Sequence, residues 1–398
     1  MLNLRAMPTR SARLDKIPPY LFSEMSRIKA EMRAKGIDII DLGIGDPDQP
    51  TPTAIIDELY AQAKNPATHT YDESPRGWQA FLEAGARWYE RTYGVAIDPD
   101  TEMIEVIGSK EGLAHLVWAY CDPGDAVIVP DPAYPVYRMH SAMTGAEIYD
   151  APLLAENGFL PVLADIPTEV AKKAKLFFVC YPSNPTGAVA TSEFYAGAVR
   201  FCREYDILLV NDMAYGTVTY DGFVSPTVMQ QEGGKDVCIE FHSLSKMFNM
   251  TGWRIAFALG NSEAVANLGK LKDNLDSKQF AAIAGAGAVA LDTVDNGATM
   301  ALYEKRRDIL CDGLNALGWK VEKPRATFYI WARVPSGFTS AEFAGVLLEK
   351  AHVLVIPGNG YGPHGEGFVR MSLTVKGDSA GEKMREAVRR IGEAGISF

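Results

Sequence analysis

Apolar residues occur in short continuous runs that alternate with segments of helical spacing up to about residue 260. In the helical segments, such as 53–64, 78–93 and 109–120, apolar residues recur every three or four positions. Short runs bounded by turn residues are typical of buried strands. Strands that alternate with helices predict an α/β fold, in which a mostly parallel central sheet is flanked by helices. The predicted strands are 103–107, 126–129, 176–180, 207–210, 237–241 and 255–259.

The pattern changes after residue 261. Two long helical stretches are predicted between 262 and 317, and a smaller α+β segment follows them. We therefore predict a large domain of residues 48–285 and a small domain formed by residues 1–47 and 286–398. The strands of the C-terminal segment are predicted near 327–333, 353–356 and 367–373, and its helices around 341–350 and 378–390.

Composition restricts the classes of function. The chain has 398 residues, 47% of them apolar, and a formal net charge of −11. An acidic chain of this kind is a poor candidate for a broad nucleic-acid surface. The five cysteines are odd in number and contain no C-x-x-C pair, which favours buried thiols in a reducing compartment. The six histidines show no pairing at metal-ligand spacing, so no metal is predicted.

Targeting signals are also missing from the pattern. No apolar run reaches the roughly 18 residues that a membrane-spanning helix needs. The basic N-terminal residues are not followed by the continuous apolar region of a secretory signal. We therefore expect a cytoplasmic protein without a membrane partner.

Candidate chemistry is concentrated around a lysine. Lys246 comes just after the predicted strand 237–241, in the segment Ser243-Leu244-Ser245-Lys246, and Arg254 follows eight residues later. Ligands of open α/β folds bind at the carboxyl edge of the sheet. Burial lowers the pKa of a lysine, and the neutral amine is both a nucleophile and a base. The two hydroxyls and the arginine suit a phosphate. Together they predict pyridoxal phosphate in Schiff-base linkage to Lys246.

Two other interpretations of this segment were weighed. Ser243-x-x-Lys246 also fits the S-x-x-K of serine β-lactamases, but the chain has no matching Lys-Thr-Gly or Ser-Asp-Asn. The second is a solvated loop in which the lysine has no chemical role. The rest of the sequence has to decide between that loop and a cofactor site.

Four more residues match what a pyridoxal ring requires. Asp212 ends an apolar strand, and a buried carboxylate there would keep the ring nitrogen protonated. Tyr215 and Asn184 are candidate partners for the ring O3′ oxygen. Tyr134, in Asp131-Pro132-Ala133-Tyr134-Pro135, can stack on the ring, although packing within the turn explains it about as well.

The remaining candidates bind anions. The helix that begins near Ser109 and Lys110 follows a strand and a glycine turn, which is an arrangement that holds phosphate. Arg370 lies in the middle of an apolar strand, where an arginine needs an anionic partner, either a substrate carboxylate or an internal acid. A G-x-G-x-x-G pattern at 360–365 precedes a strand rather than a helix, so it fails as a dinucleotide fingerprint.

The order of these motifs resembles that of class I/II, fold-type I aminotransferases. The motifs are Asn184-Pro185-Thr186-Gly187, Asp212-x-x-Tyr215, Ser243-x-Ser245-Lys246 with Arg254, and Arg370. The resemblance covers essentially the whole chain. It implies a fold-type I pyridoxal-phosphate enzyme with Lys246 as Schiff-base lysine and proton shuttle, Asp212 at the pyridine nitrogen, and Arg370 on the substrate carboxylate. It also implies a homodimer with shared sites, with Tyr71 reaching the neighbour's phosphate and the Gly45 backbone contacting substrate.

Within the family, six segments are most similar to LL-diaminopimelate aminotransferases, which implies Tyr20, Lys110 and Asn274 near the substrate. Arg76 is a departure, because an acid often stands at this position, and arginine favours a distal carboxylate over a distal ammonium. Met213 and Gly216 also differ from the expected pattern. The six segments are 18–22, 42–48, 108–112, 131–137, 240–246 and 357–360.

The sequence therefore predicts a transaminase that moves an amino group from an amino acid, with LL-2,6-diaminopimelate as first choice, to 2-oxoglutarate. A broad-range aspartate or alanine aminotransferase and a pyridoxal-phosphate β-lyase are the alternatives within the same cofactor class. A non-catalytic regulator is the alternative from another class. The retained Lys246 and the acidic charge both disfavour it.

Overall fold

The computed structural model describes residues 9–17 and 21–398. Most strands agree with the predicted ones to within a few residues, whereas the strand at 147–152 has no predicted counterpart. The strands are β1 (Ile40–Asp41), β2 (Met103–Val106), β3 (Ala126–Asp131), β4 (Glu147–Pro152), β5 (Ala174–Val179), β6 (Leu208–Asp212), β7 (Cys238–Ser243), β8 (Ala256–Gly260), β9 (Tyr329–Arg333), β10 (Val353–Leu354), β11 (Ile356–Pro357) and β12 (Phe368–Ser372).

The helices occupy the segments between the strands. They are α1 (Leu21–Ala34), α2 (Thr53–Ala63), α3 (Gln79–Tyr93), α4 (Ser109–Tyr120), α5 (Val136–Thr144), α6 (Thr168–Ala171), α7 (Ser192–Tyr205), α8 (Gly234–Val237), α9 (Leu244–Met247), α10 (Ser262–Leu275), α11 (Ala281–Thr293), α12 (Gly297–Ala316), α13 (Ser340–Val346) and α14 (Glu382–Glu393). Among the described residues, none of these helices is long and apolar enough to cross a bilayer.

A seven-stranded sheet forms the centre of the molecule, in the order β2-β8-β7-β6-β5-β3-β4. Strand β8 runs antiparallel to both of its neighbours, and the other four pairs are parallel. The carboxyl ends of β3, β6 and β7 therefore lie at one edge. Because these strands end at Asp131, Asp212 and Ser243, that edge collects polar side chains directly beside a buried sheet.

Both faces of this sheet are covered by helices, as alternation along its strands requires. In β6, Leu209 packs into the core that contains Phe81 and Tyr195 of α3 and α7. The next residue, Val210, packs into the opposite core with Leu113 of α4 and Leu268 of α10. The predicted α/β architecture is confirmed.

The C-terminal part has its own core and its own small sheet. Strands β11, β12 and β9 form an antiparallel sheet, and β1 pairs with β10 in parallel. The third core includes Ile40, Tyr303 and Val369, so it joins the N-terminal strand to the C-terminal elements. It also includes Tyr215 from the loop after β6. The domain bounds at 47/48 and 285/286 stay a prediction.

Two sequence predictions were wrong in detail. The stretch 262–317 holds three helices rather than two, because the chain leaves helical geometry at Asp276 and again at Val294. The run 353–356 is divided between two sheets, since β10 pairs with β1 and β11 pairs with β12. Strand β4 was not predicted, and most of its residues are only half-buried at the edge of the sheet.

Candidate active site

A cavity of about 390 Å³ opens at the carboxyl edge of the central sheet. Its walls come from the strand ends, the first turn of α4, the short helix α9 and the C-terminal sheet. It brings together twelve of the fifteen site residues that were predicted from the sequence: Gly45, Ser109, Lys110, Tyr134, Asn184, Asp212, Tyr215, Ser243, Ser245, Lys246, Arg254 and Arg370.

Lys246 lies in α9, one turn beyond the end of β7. Its Nζ donates a hydrogen bond of 3.2 Å to the backbone carbonyl of Gly45. The pKa of the ammonium is lowered from 10.5 to about 8, chiefly by burial and also by the charges of Arg254 and Arg370, while Asp46 and Asp212 oppose the shift. A substantial fraction of the amine is therefore neutral in mildly alkaline water, as a nucleophile or base requires.

Asp212 is the last residue of β6 and is buried against α5. Tyr137 donates a hydrogen bond of 2.7 Å to its Oδ2, while Oδ1 accepts none of ordinary geometry. Desolvation raises the pKa of the carboxyl to about 6, and the Tyr137 hydroxyl and His242 oppose the rise. The site thus contains a carboxylate that is ionised near neutral pH and has one oxygen left for a cationic N–H donor.

Removing the Tyr137 hydroxyl provides a test of this arrangement. In Tyr137→Phe, the pKa of Asp212 should rise further above 6, because the ionised form loses a donor. The carboxylate would then be protonated at higher pH, so the acid limb of the kcat/KM profile should move upward by about one pH unit. Tyr149→Phe is the control, since that hydroxyl bonds the distant Asp165 carbonyl. An unmoved acid limb in Tyr137→Phe would contradict the prediction.

Arg370 is fully buried at the opposite wall. Its guanidinium donates hydrogen bonds of 2.7 Å to Oδ1 of Asn184 and to the carbonyl of Gly43. The Cζ atom lies 4.0 Å from the ring centroid of Tyr329 and 4.9 Å from that of Tyr361.

Tyr215 completes the same wall. Its hydroxyl lies 3.0 Å from that of Tyr329, and burial raises its pKa well above 10. Tyr215 is therefore a hydrogen-bonding phenol rather than a phenolate. Gly45 lies close by, where a Cβ atom would be 1.9 Å from the Tyr329 hydroxyl. A side chain at position 45 would displace this ring, so the glycine is required by close approach.

The first turn of α4 and the segment around α9 form an anion cradle. A Cβ atom on Gly108, which has a φ of +79°, would lie 2.3 Å from Nη2 of Arg254, so the guanidinium packs directly over the glycine. The Ser109 hydroxyl is buried and has no hydrogen-bond partner. Lys110 lines the cavity, and partial desolvation of its ammonium together with the charge of Arg254 lowers its pKa. Orphaned donors at a helix N-terminus beside cations suit a phosphate.

Two of the predicted residues that the structure describes lie away from this cavity. Tyr71 is 91% exposed on the protein surface. Asn274 lies on α10 and donates its side-chain amide to the Lys270 carbonyl, beside a separate surface depression. Tyr20 lies outside the residues that the structure describes. The single chain therefore leaves the roles predicted for these residues untested.

The departures from the family pattern have distinct surroundings. Arg76 donates to the Thr101 carbonyl and lines the same depression as Asn274. Met213 is buried, and a Cβ atom on Gly216 would lie 2.9 Å from its Cε. The large side chain at 213 thus occupies the space that a side chain at 216 would need, so the two departures compensate each other.

Sequence reasoning missed three residues of the cavity and its walls. Tyr137 binds Asp212, Tyr329 contacts both Tyr215 and Arg370, and Asp46 faces Lys246. Tyr137 follows Tyr134 by three residues, which places both on one side of a helix start. That spacing was the available signal for Tyr137. Tyr329 offered only its position in a strand.

One group of possible metal ligands lies outside the cavity. Glu111, His115 and Asp276 bring a ligand atom each to within 4.8 Å of one another. The Lys272 ammonium bridges the two carboxylates, at 2.8 Å from Glu111 and 3.1 Å from Asp276. This group is thus an ion-pair network with its own cation, and it gives no reason to change the expectation of a metal-free protein.

Comparison with known proteins agrees with this geometry. Residues 37–391 match the family of class I and II aminotransferases. The chain belongs to this family. It is 50% identical over 381 residues to the LL-diaminopimelate aminotransferase of Moorella thermoacetica, which covers 95% of this chain and 96% of that protein. It is 49% identical to the enzyme of the same name from Gloeobacter violaceus, over 98% of this chain and 99% of that one.

Solved structures of the family share the fold. Substrate-bound BacF of Bacillus subtilis has a TM-score of 0.91 and 38% identity, and the match covers 97% of this chain and 98% of that chain. The aspartate aminotransferase of Thermotoga maritima has a TM-score of 0.87 at 26% identity, over 96% and 99% of the two chains. The fold is therefore that of a fold-type I aminotransferase, and the protein is a pyridoxal-phosphate-dependent transaminase.

Proposed function

We propose that this aminotransferase moves an amino group from LL-2,6-diaminopimelate to 2-oxoglutarate. The observation that carries the proposal is the near-full-length identity of about 50% to relatives named LL-diaminopimelate aminotransferase. A buried arginine facing the cavity supports it, because both the donor and the acceptor carry an α-carboxylate.

The residues of the cavity fit the cofactor that the family uses. Ser109, Lys110, Ser243, Ser245 and Arg254 would hold its phosphate, since they supply hydroxyl and charged donors at the first turn of α4 and around α9. Asp212 would pair with the ring nitrogen, with Tyr215 and Asn184 at O3′ and Tyr134 on the ring face. When bound, pyridoxal phosphate supplies an electron sink for the negative charge that develops at the substrate α-carbon.

Side chains of the protein would bind the substrate and transfer the protons. Arg370, fixed by Asn184 and the Gly43 carbonyl, binds and orients the substrate α-carboxylate. With the cofactor bound, the neutral Nζ of Lys246 would take the proton from the substrate α-carbon and give a proton back. Asp212 keeps its negative charge near neutral pH and would pair with the protonated ring nitrogen.

A donor screen tests the substrate assignment. With 2-oxoglutarate as acceptor, LL-diaminopimelate should turn over with a kcat/KM at least about tenfold above those of aspartate, alanine and aromatic amino acids. Glutamate formation, measured by an enzyme-coupled assay, gives the rates. Fast turnover of another donor without turnover of diaminopimelate would remove this substrate and leave the transaminase class intact.

Arg76 favours a second candidate, an aminotransferase for aspartate or a similar dicarboxylic donor. Its guanidinium lies at the surface beside Asn274, where a distal carboxylate would be attracted and a distal ammonium repelled. The same donor screen separates the two candidates. A β-lyase, the third candidate, would release its product without an oxo-acid acceptor, so omission of 2-oxoglutarate distinguishes it.

We also propose a homodimer in which each subunit completes the site of the other. Tyr71 is 91% exposed, and three other large apolar side chains are exposed: Ile56 and Tyr60 on the preceding helix α2, and Phe280, whose ring centroid lies 6.3 Å from that of His69. Clustered exposed apolar groups of this kind are typical of subunit interfaces. The Tyr71 hydroxyl would reach the phosphate bound by the second subunit.

Tyr71→Phe should weaken the affinity for pyridoxal phosphate about tenfold, because one hydrogen bond to the phosphate is lost. Equilibrium titration of the cofactor-free protein measures this affinity, and Tyr60→Phe, also exposed, is the control. Mixed dimers of Lys246→Ala and Tyr71→Ala subunits should regain activity, since one of their two sites contains both residues. Unchanged affinity together with inactive mixed dimers would contradict a shared site.

The cysteines support a cytoplasmic location for the enzyme, which we include in the proposal. All five are buried and none is in a disulfide. Thiols of this kind persist in a reducing compartment.

A further inference from the structure

The glycine-rich segment at 358–366 has a role that its G-x-G-x-x-G pattern does not indicate. It forms two short 3₁₀ turns, Gly358–Tyr361 and Pro363–Gly365, that fold over the end of β3. A Cβ atom on Gly362, which has a φ of +140°, would lie 1.8 Å from Oδ1 of Asp131. One on Gly365 would lie 2.1 Å from the Gly358 carbonyl oxygen. The glycines therefore allow the segment to pack directly against the central sheet.

Three hydrogen bonds fasten the segment to the turn that carries Tyr134. Nδ1 of His364 donates to Oδ2 of Asp131 over 2.6 Å, and the His364 backbone amide donates to the same oxygen over the longer distance of 3.4 Å. The Ala133 amide donates to the Tyr361 carbonyl over 3.0 Å. Asp131 is only 1% exposed, whereas the His364 side chain is 39% exposed. A buried carboxylate needs a partner, and the imidazole of His364 provides one.

The same segment controls one side of Arg370. The ring of Tyr361 is buried, and its centroid lies 4.9 Å from the Arg370 Cζ atom. A guanidinium that packs against aromatic rings is held in one orientation. Because its two N–H donors are already oriented, it binds a carboxylate with a smaller loss of entropy. The position of Tyr361 depends on its backbone, which is tied to Ala133 and lies three residues before His364.

We propose that His364 is a positioning residue for substrate binding. Through Asp131 it holds the glycine-rich segment on the central sheet, keeps Tyr361 against Arg370, and so raises the affinity for the substrate carboxylate. This inference rests on the proposed function only in taking Arg370 as the carboxylate-binding residue. Lys246 and Asp212 make no hydrogen bond to the segment among the contacts of the described residues, so proton transfer should not depend on it.

Steady-state kinetics of His364→Ala test the proposal. KM should rise about five- to tenfold for both the amino donor and the oxo acid, while kcat stays within about twofold. The dissociation constant of glutarate, an unreactive dicarboxylate, should rise by the same factor in calorimetry on the cofactor-loaded enzyme. His364→Asn should restore both values, because the Asn Nδ2 atom occupies the position of the His Nδ1 atom. His364→Leu should not restore them.

Two further variants keep the outcome decisive if His364→Ala is unstable. Asp131→Asn with His364→Ala removes the buried charge together with its partner and should show the same rise in KM. In Gly362→Ala the new Cβ atom would clash with Asp131 and push the segment away from it, so this variant should also show a higher KM. Glutarate affinity that is unchanged in all these variants, or a fall in kcat with unchanged KM, would overturn the inference.

Arg370→Lys separates this failure from a failure of the proposed function. If that variant binds glutarate as tightly as the unmodified enzyme, Arg370 is not the carboxylate-binding residue, and the proposed binding mode fails. If Arg370→Lys weakens binding and His364→Ala does not, only the positioning role of His364 is refuted.

Discussion

Replacement of Lys246 by alanine is expected to lower kcat/KM by about 10⁴-fold, the upper range for loss of a positioned base. Among the described residues that line the cavity, Lys246 carries the amine whose pKa is lowered to about 8, chiefly by burial. The Lys110 ammonium lies in the anion cradle beside Arg254, where it would be engaged with the phosphate. Arginine at position 246 would not restore activity, because a guanidinium stays protonated at any working pH.

The pH dependence of cofactor binding is a second test of the role of the Lys246 amine. The neutral amine is the nucleophile, so the rate at which cofactor-free protein combines with pyridoxal phosphate should rise with pH. The midpoint should lie near 8 rather than near 10.5, the ordinary value for a lysine. Below that midpoint the amine is protonated and the rate falls. Stopped-flow absorbance measures the rate.

Lys172→Ala is the matched control for both experiments, since that ammonium is exposed and paired with Glu169. It should leave kcat/KM and the capture rate unchanged. Borohydride treatment with pyridoxal phosphate should label the unmodified protein on the peptide that contains Lys246. Labelling elsewhere, or a Lys246→Ala variant with near-normal turnover, would refute the assignment.

The parts of the site that sequence could predict share one property. Lys246, Asp212 and Asn184 each come within a few residues of the end of an apolar strand. The edge of a parallel sheet gathers the carboxyl ends of its strands, so a local pattern is enough to place such residues near one another. Arg370 was predictable for a related reason, because a charge in the middle of a buried strand needs a ligand or a partner.

The parts that sequence could not predict depend on contacts between distant segments. The hydrogen bond from Tyr137 to Asp212 spans 75 residues, and that between Tyr215 and Tyr329 spans 114. Each depends on how a helix or sheet is placed against the strand ends, which no local spacing encodes. Strand β4 was missed because an edge strand is only half-buried and does not form an apolar run. The break between α10 and α11 lacks a glycine or proline to mark it.

The function of the glycine-rich segment at 358–366 also could not be predicted from the sequence. Its pattern matched a known motif, and its context excluded that motif. The structure shows why the glycines are needed: Gly362 and Gly365 allow the chain to approach Asp131 and Gly358. Asp131 and His364 are 233 residues apart, so no local sequence pattern predicts their contact.

Replacement of Asp212 by asparagine should lower kcat by about 10²- to 10³-fold, which is the second-largest effect we expect. Asparagine has the same shape and can accept the hydrogen bond from Tyr137, so packing at the end of β6 should survive. It cannot carry the negative charge that retains a proton on the ring nitrogen. An opposite charge at contact distance shifts a pKa by about 1–3 units, and the expected loss of rate corresponds to that energy.

The kinetic pattern distinguishes this role from a structural one. The phosphate cradle and Arg370 lie on other elements, so KM for the amino donor and the content of bound cofactor should change little in Asp212→Asn. Asp212→Glu, which keeps the charge but moves it, should recover part of kcat. Asp165→Asn, at an exposed position, is the control and should behave like the unmodified enzyme. If Asp212→Asn kept its full kcat, the carboxylate would not be the group that protonates the ring, and the cofactor would have to lie in the cavity in another orientation.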